Sequence, residues 1–360
     1  MDRKTRSKIT GIAWVAIAFA WLLNLVSCSD DKILTDDTAP YAVVSFRVQG
    51  ASPSTRAGST GTGQVNAVIV NGRTTSGARG EVLLEGGTLY RLKGTENHFD
   101  YSPHVYFPSW AEYASFSAYS PASSRIGSES FTVSPKDSPL DNIISYSVPD
   151  PSGKDPQEDL LVAAIENKEV LAGPVVLNMR HALSRVHVRA RNMMVYPVII
   201  EKLSLHNLHN SGKLKIDGKI NDDDYATDDY KVLWTPLTEK PDGKLSWALA
   251  KTGAVIPATQ VIEQVTADDQ AMLVMPQTTK NENNDAVATG DDFYLEVTYT
   301  VQNYGSNTVC SAFRDVNGLD GGLTFEMGRQ YALTITFTAD EVTFNVSVDG
   351  WDKPEVPVPF

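Results

Sequence analysis

Residues 328–337 read Gly-Arg-Gln-Tyr-Ala-Leu-Thr-Ile-Thr-Phe, and this stretch decides the fold class of the chain. From Tyr331 onward, every second residue is large and apolar: Tyr331, Leu333, Ile335 and Phe337. Successive side chains of a β-strand point to opposite faces of a sheet, so the alternation predicts a strand with one buried face. Similar patterns at 293–301 and 342–348 make the C-terminal part of the chain a series of strands.

Short strands of the same kind fill the rest of the chain. The first is predicted at 41–48, where apolar and polar residues alternate: Val44, Ser45, Phe46, Arg47 and Val48. A second strand, 65–70, is predicted to end at Asn71-Gly72, and a third at Gly86-Gly87, because such dipeptides favour turns. The number and spacing of these segments predict an all-β protein with two antiparallel β-sandwich domains.

Charge and cysteine content limit the partners and the sources of stability. The chain has 360 residues, a formal net charge of −13 and a pI near 4.9. Such an acidic surface argues against nucleic acid as a partner and against a basic membrane-binding patch. The two cysteines are Cys28 and Cys310. If Cys28 is acylated, Cys310 has no disulfide partner, so stability must come from buried apolar area.

The N-terminus has the parts of an export signal. Four basic residues come first: Arg3, Lys4, Arg6 and Lys8. The apolar run 12–26 that follows has about 15 residues, fewer than the roughly 20 that a membrane-spanning helix needs. Leu25-Val26-Ser27 directly before Cys28 resembles the lipobox of bacterial lipoproteins, which implies that 1–27 is removed and that the Cys28 thiol carries a diacylglycerol. A plain signal or an uncleaved anchor with a chance cysteine is the alternative.

The stretch 50–63 cannot bury enough apolar surface to order itself. It consists of Gly, Ala, Ser, Thr and Pro around one charged residue, Arg56. Exposed segments of this composition are where proteolytic nicking concentrates. The sequence therefore predicts a flexible loop, in which Arg56 is either a processing site or simply one residue of a solvated segment.

Several stretches, taken in order, resemble the fimbrillin family, the pilins of Gram-negative gut and oral anaerobes. They are the lipobox, the loop around Arg56, the aromatic pattern from Trp110 to Pro121, the run His-Ala-Leu-Ser-Arg-Val at 181–186, and the final strands ending at Trp351. No single motif is decisive, and the resemblance rests on their order and spacing.

This resemblance implies a fold, a processing route and partners. The fold would be two transthyretin-like sandwich domains at 57–172 and 173–360, preceded by a tether and first strand at 28–56. A trypsin-like protease would cut between Arg56 and Ala57 and release the strand 41–48. A strand from a neighbour would fill the groove left behind. The partners would then be other fimbrial subunits, the outer membrane that holds the lipidated precursor, and a host or bacterial surface ligand.

The last residues, 354–360, alternate proline with large apolar residues. In an extended strand, Val356, Val358 and Phe360 share one face, whereas Pro357 and Pro359 lack donors on the opposite edge. Such a strand can pair along one side only. The tail is predicted to be a donor strand for the neighbouring subunit. The alternative is that it is a frayed terminus that lies on its own domain.

No residue pattern predicts catalysis, a metal ion or a cofactor. Nucleophile elbows, zinc-protease motifs and phosphate-binding loops are absent from the sequence. His181 and His187 lack an acidic or thiol ligand at metal spacing, and His206 and His209 would face opposite ways along a strand. The acidic stretch 221–224 lacks the glycine and glutamate of an EF-hand loop.

The sequence therefore predicts a non-enzymatic structural or adhesive subunit of a cell-surface fimbria that needs no cofactor. The alternative is a glycan-binding surface lipoprotein of a nutrient-uptake system, also built of β-sandwiches on a lipid tether. Aromatic side chains ordered on an exposed face would favour that alternative, because they stack on sugar rings. Four tryptophans are candidates for such a face: Trp110, Trp234, Trp247 and Trp351.

Overall fold

A computed structural model describes residues 42–50, 65, 67–74, 81–93, 98–122, 127–131, 142–154, 157–170, 173–216, 232–250, 252–266, 271–279, 293–312 and 323–350. All regular elements in these ranges are β-strands, so the all-β prediction is confirmed. No helix in these ranges is long and apolar enough to cross a membrane. All the described residues belong to one compact unit.

The described residues form 23 strands. In chain order they are β1 (Phe46–Gly50), β2 (Ala67–Thr74), β3 (Val82–Lys93), β4 (His98–Asp100), β5 (Tyr113–Ser120), β6 (Gly127–Phe131), β7 (Asn142–Ser147), β8 (Leu161–Glu169), β9 (Val175–His181), β10 (Ser184–Asn192), β11 (Val198–Leu208), β12 (Ser211–Ile216), β13 (Val232–Pro236), β14 (Gly243–Ser246), β15 (Ala254–Ile256), β16 (Ile262–Gln264), β17 (Met272–Val274), β18 (Gln277–Thr278), β19 (Tyr294–Val301), β20 (Gly305–Ala312), β21 (Thr324–Phe325), β22 (Arg329–Phe337) and β23 (Val342–Gly350).

The first sheet closes on itself as a seven-stranded barrel. Its strand order is β1-β4-β3-β2-β5-β8-β9, and β9 returns to β1. Neighbouring strands are antiparallel except β1 and β9, whose parallel register runs from Phe46 opposite Val175 to Gly50 opposite Met179. Because β1 occupies the position between β4 and β9, it is the strand that removes the sheet edges.

Four further sheets follow the barrel. β10 lies in a sheet with β16, β17, β22 and β23, and β11 lies in another with β14, β15, β19 and β20. β12 and β13 pair with β7 and β6, and β18 pairs with β21. Since β7 precedes residue 172 and β12 follows it, backbone hydrogen bonds cross the predicted domain boundary. The division into sandwich domains at 57–172 and 173–360 stays a prediction.

The strands β5 and β8 form a wall between two apolar cores. Phe116 and Ala118 of β5 belong to the barrel core, whereas Tyr119 belongs to the core of the following sheets. In β8, Leu161 faces the barrel and Val162 faces the other core. Alternate side chains of a strand point to opposite faces, so one wall serves both cores. Phe116 and Tyr119 therefore point into different cores.

The prediction of a turn at Asn71-Gly72 is wrong, because β2 runs through both residues. Gly72 lies opposite Phe116, and a Cβ at this position would come within 2.5 Å of the Phe116 ring. Asn71 is buried, and its Oδ1 accepts a hydrogen bond of 2.8 Å from the N–H of Gly87. β3 likewise continues through Gly86-Gly87. The glycine at position 72 therefore permits close packing rather than a chain reversal.

Candidate functional site

The segment 42–50 is held in the barrel wall from both sides. β1 pairs with β4 on one side and with β9 on the other. Just before β1, the N–H of Val44 donates to the Val105 carbonyl at 2.7 Å, and the N–H of Phe107 donates to the Ala42 carbonyl at 2.9 Å. If this segment left, the facing backbone N–H and C=O groups of β4 and β9 would lose their hydrogen-bond partners. Leaving such groups buried and unpaired costs substantial free energy.

The inward side chains of the segment fill the barrel core. Val44, Phe46 and Val48 are exposed by only 1%, 0% and 5%, whereas Arg47 is exposed. The predicted burial of the three apolar residues and the exposure of Arg47 are confirmed, but Ser45, expected on the polar face, is also buried. Burying one such apolar side chain stabilises a fold by about 1.5–3 kcal/mol, so the three together contribute on the order of 5–9 kcal/mol. The barrel without them would contain a long apolar groove.

Aromatic rings line the place where the first strand sits. The Phe46 ring lies edge-on to Tyr90, with centroids 4.7 Å apart, and to Phe116, with centroids 5.2 Å apart. Phe107 meets Phe116 in the same manner at 6.2 Å. Each such pair contributes about 0.5–1.5 kcal/mol beyond its buried area. The groove floor that faces β1 is therefore aromatic.

One polar side chain in the groove also contacts the segment. The Tyr90 hydroxyl donates to the Val44 carbonyl at 3.3 Å. Burial, with a smaller effect of the nearby Asp100 charge, raises the pKa of Tyr90 above its usual range. The phenol therefore stays neutral and keeps its donor proton at any pH that the protein meets.

A cavity of about 170 Å³ opens at the end of the barrel where β1 begins. About half of its lining is apolar, and this part comes from Phe107, Ala114, Phe116, Val170, Pro174, Val175 and Val176. Lys168 and Glu169 also line it, and both are exposed. The N–H of Val175 donates to the Ser45 carbonyl at 2.8 Å, so the cavity adjoins the first-strand segment.

The predicted lipidation, processing and donor-strand residues lie outside the described ranges: Cys28, Arg56, Ala57, Val356, Val358 and Phe360. The acidic stretch 221–224 also lies outside them. The strands on either side of the stretch that carries Arg56 are described. β1 ends at Gly50, β2 begins at Ala67, and β2 is not a neighbour of β1 in the barrel. The only covalent link from β1 to the later strands therefore runs through the stretch that carries Arg56.

The histidines have separate partners in the structure. His181 is buried, with Nδ1 2.8 Å from Asp159 Oδ2, and His187 is buried on β10. His206 Nε2 lies 2.6 Å from Glu296 Oε2, whereas His209 Nδ1 lies 3.1 Å from the hydroxyl of Thr238. Within the described ranges, no three His, Cys, Asp or Glu side chains converge as metal ligands.

Sequence reasoning missed a charged network on the outer side of β11. Glu296 contacts Lys202 at 3.2 Å and Lys244 at 3.4 Å in addition to His206. Burial alone would raise the pKa of Glu296, but hydrogen bonds from Lys202 and His206 and the lysine charges lower it. Burial lowers the pKa of His206. His206 and Glu296 are 90 residues apart, so no local pattern could have indicated their contact.

The three tryptophans in the described ranges do not form the exposed row that glycan binding would favour. Trp247 is 4% exposed, and the half-buried Trp234 donates its Nε1–H to the Ala182 carbonyl at 2.8 Å. Trp110 is half-buried in the segment before β5, and Trp351 lies outside the described residues. Trp234 and Trp247 thus take part in packing the core of the second group of sheets.

Similar folds occur among fimbrial and adhesion proteins. A fimbrial protein from Bacteroides vulgatus ATCC 8482 is 15% identical, with a TM-score of 0.55 over 86% of this chain and 99% of that chain. A protein from Bacteroides uniformis ATCC 8492, classed as a cell adhesion protein, is 15% identical, with a TM-score of 0.52 over 86% of this chain and 98% of that chain. At these identities the likeness shows the fold alone.

The family follows from the sequence profile that is described as fimbrillin-like, which matches residues 55–351. The chain belongs to this fimbrillin-like family, and the resemblance inferred from the sequence is confirmed. A search of curated proteins gives no significant match.

Proposed function

We propose that this chain is a structural and adhesive subunit of a cell-surface fimbria, exported as a lipoprotein precursor and assembled by protease-triggered strand exchange. Membership of the fimbrillin-like family and the fold shared with a fimbrial protein support the subunit role. One observation carries the assembly mechanism: β1 fills the barrel core, yet it is joined to the later strands only through the residues between Gly50 and Ala67.

Lipidation of Cys28 would hold the precursor at the outer membrane. The thiol is the acyl acceptor, and more than one acyl chain is needed for stable anchoring, because a single chain binds only marginally. A tethered precursor meets the protease and its neighbouring subunits at the same surface. The fimbria that results would present the outer faces of the subunits to a host or bacterial ligand.

Cleavage between Arg56 and Ala57 would turn the first strand into a separate peptide. Before the cut, β1 binds its groove intramolecularly, which gives it a high effective concentration. After the cut, only non-covalent contacts retain it, and a strand from another subunit can compete for the same backbone ladder and apolar groove. The cut therefore changes the competition between strands without changing the groove.

The apolar side chains of the C-terminal tail have the same spacing as those of the first strand, which leaves after cleavage. Val44, Phe46 and Val48 are three apolar residues at period two, and the set Val356, Val358 and Phe360 repeats that spacing. β1 pairs with β9 over five residues but with β4 over only two. If the tail took the place of β1 with its proline-bearing edge towards β4, it would therefore lose few hydrogen bonds. In this scheme, the predicted sandwich domains at 57–172 and 173–360 are the units that polymerise.

Limited trypsin treatment of the full chain carrying Cys28→Ser tests this proposal. We expect a new N-terminus at Ala57 and ladders of polymers on a gel that preserves non-covalent contacts. Arg56→Ala should abolish both. Arg79→Ala is the matched control, because Arg79 also lies among small residues, and it should leave both unchanged. A first cut at Arg79, or cleavage at Arg56 without polymers, would contradict the mechanism.

A further inference from the structure

Six large apolar side chains are exposed at one end of the sheets that contain β10 and β11. They are six of the eleven large hydrophobic residues found exposed in the described ranges: Met193, Val195, Tyr196, Val255, Val261 and Tyr304. None of the six is charged. We refer to this set as the apolar end. Exposed apolar clusters of this kind mark sites of protein association.

Backbone and side-chain contacts bring the loops of the apolar end together. The Asn192 side-chain amide donates to the carbonyls of Tyr196 at 2.9 Å and Ile256 at 3.1 Å. The N–H of Gln302 donates to the Pro197 carbonyl at 3.0 Å. The connection between β10 and β11 is thereby tied to β15 and to the turn between β19 and β20. The apolar end is therefore one surface rather than separate loops.

Two residues project furthest from this surface. Val195 is 83% exposed and Tyr304 is 68% exposed. The Tyr304 ring lies 5.2 Å from the Tyr196 ring at an angle of 58°, and a hydrogen bond with Tyr196 raises the pKa of the Tyr304 hydroxyl. This contact orients a projecting phenol that remains open to solvent on its other side.

The cavity at the barrel mouth lies at the far end of the same pair of consecutive strands. β9 begins at the cavity with Val175 and ends at His181, and β10 begins three residues later and ends at Asn192, beside the apolar end. A projecting aromatic ring thus lies beside the loop that follows β10, and a cavity with partly apolar walls lies where β9 begins. A projection and a hole on different surfaces of one chain favour head-to-tail association.

A second copy of the chain is the partner that these features fit. With a net charge of −13, two copies repel each other over most of their surfaces, and the six uncharged side chains of the apolar end are where they can approach. A cavity of about 150 Å³ can hold a benzene ring, so the 170 Å³ at the barrel mouth has room for a phenol. Lys168 and Glu169 beside the cavity could hydrogen-bond its hydroxyl.

We infer that Tyr304 of one copy docks in the cavity between Phe107, Phe116 and Val170 of the next copy, with Val195 packing on the rim. This inference rests on the proposed fimbrial assembly and adds a contact surface to it. Because the two surfaces differ, the contact does not close on itself and extends a filament from either end.

Photo-crosslinking of the unprocessed full chain carrying Cys28→Ser tests this contact directly. Tyr304 is replaced by benzoylphenylalanine, the protein is irradiated at high concentration, and the cross-linked peptides are mapped by mass spectrometry. We expect cross-linked dimers joined to residues 107–116 or 168–176. The control probe replaces Leu237, which is 50% exposed outside the apolar end and should give at most a tenth of the dimer.

A substitution at Val195 tests the same contact at a position other than that of the photo-crosslinking probe. Val195→Asp should lower the cross-link yield at least tenfold, whereas Val348→Asp, at another exposed apolar position, should leave it unchanged. Cross-links to any other region, or equal yields from positions 304 and 237, would overturn the docking contact. Polymers that form after proteolysis without this cross-link would also overturn it and leave strand exchange standing. A specific cross-link in a chain that never polymerises after proteolysis would support the docking contact and contradict strand exchange.

Discussion

The ring of Phe46 lies edge-on to the ring of Phe116, with centroids 5.2 Å apart, and this contact joins the first strand to the wall that separates the two cores. Phe116 is on β5, whose opposite face carries Tyr119 into the second core. A change at Phe46 therefore acts on a structural element that both cores share.

Phe46→Ala tests the packing of the first strand. We expect the free energy of unfolding to fall by about 3–5 kcal/mol, because a large ring is removed from a fully buried site. Arg47→Ala is the matched control on the same strand, and its exposed side chain should change the value by less than about 0.5 kcal/mol. Urea unfolding of the uncleaved chain measures both. Equal effects of the two changes would show that β1 does not fill the core.

Gly72→Ala tests the close approach of β2 to Phe116. The added methyl would lie 2.5 Å from the Phe116 ring, so we expect a loss of about 1–3 kcal/mol from overpacking. Phe116→Leu should make room for the methyl, and the double variant should be more stable than the two separate losses predict. Urea unfolding of the four proteins gives the coupling. Strictly additive losses would mean that the two residues do not compete for space.

Cys28→Ser tests the lipid anchor. Labelling with a palmitate analogue should disappear, and the protein should no longer fractionate with the outer membrane, because the acyl acceptor is lost. Cys310→Ser is the control and should keep its label. Label that persists in Cys28→Ser would show that the lipobox assignment is wrong.

Deletion of 356–360 tests the donor strand. The monomer should keep its unfolding midpoint, while polymers after proteolysis should be lost, because the groove has no incoming side chains. A full-length variant in which Val356, Val358 and Phe360 are all replaced by serine should behave in the same way. Replacing Pro357 and Pro359 by alanine should still allow polymers. Normal ladders from the truncated chain would rule out the donor role.

The contact between His206 and Glu296 predicts the direction of the pH dependence. Burial lowers the pKa of His206 below about 6.5, so the unfolded chain binds this proton more readily and stability falls as the pH drops below that value. Burial would raise the pKa of Glu296, but Lys202, His206 and Lys244 together lower it, so its contribution is lost at still lower pH. Both groups therefore destabilise the fold on acidification.

His206→Gln should remove the part of the pH dependence of stability that comes from protonation of His206. Between about pH 7.5 and pH 5, we expect the wild-type chain to lose about 0.5–1 kcal/mol more than the variant, since the network is partly exposed. Urea unfolding at several pH values measures the difference. His209→Gln is the control, because His209 contacts Thr238 rather than a charged group. A variant with the wild-type pH profile would exclude His206 as the source.

The sequence alone determined that the chain is built of strands and, in β1 and β22, which apolar side chains point inward. Val44, Phe46 and Val48 alternate with Ser45 and Arg47, and the structure buries all three apolar residues. Likewise, Leu333, Ile335 and Phe337 of β22 are buried, as their spacing predicts. Alternation arises from the pleat of the backbone, which is a local property, so it can be recognised within a few residues. The family resemblance also follows from the order of such local segments.

Only the tertiary structure decided how the strands pair. β1 lies parallel to β9, which follows it by more than a hundred residues, and no local pattern names that partner. Asn71-Gly72 would favour a turn in isolation, but the Phe116 ring requires a glycine inside a strand at this point. His187, a polar residue between Val186 and Val188, is buried on a strand that pairs with β22. Pairing, two-sided burial and the joining of Phe46 to Phe116 depend on which apolar surfaces meet in the folded chain, and those contacts are non-local.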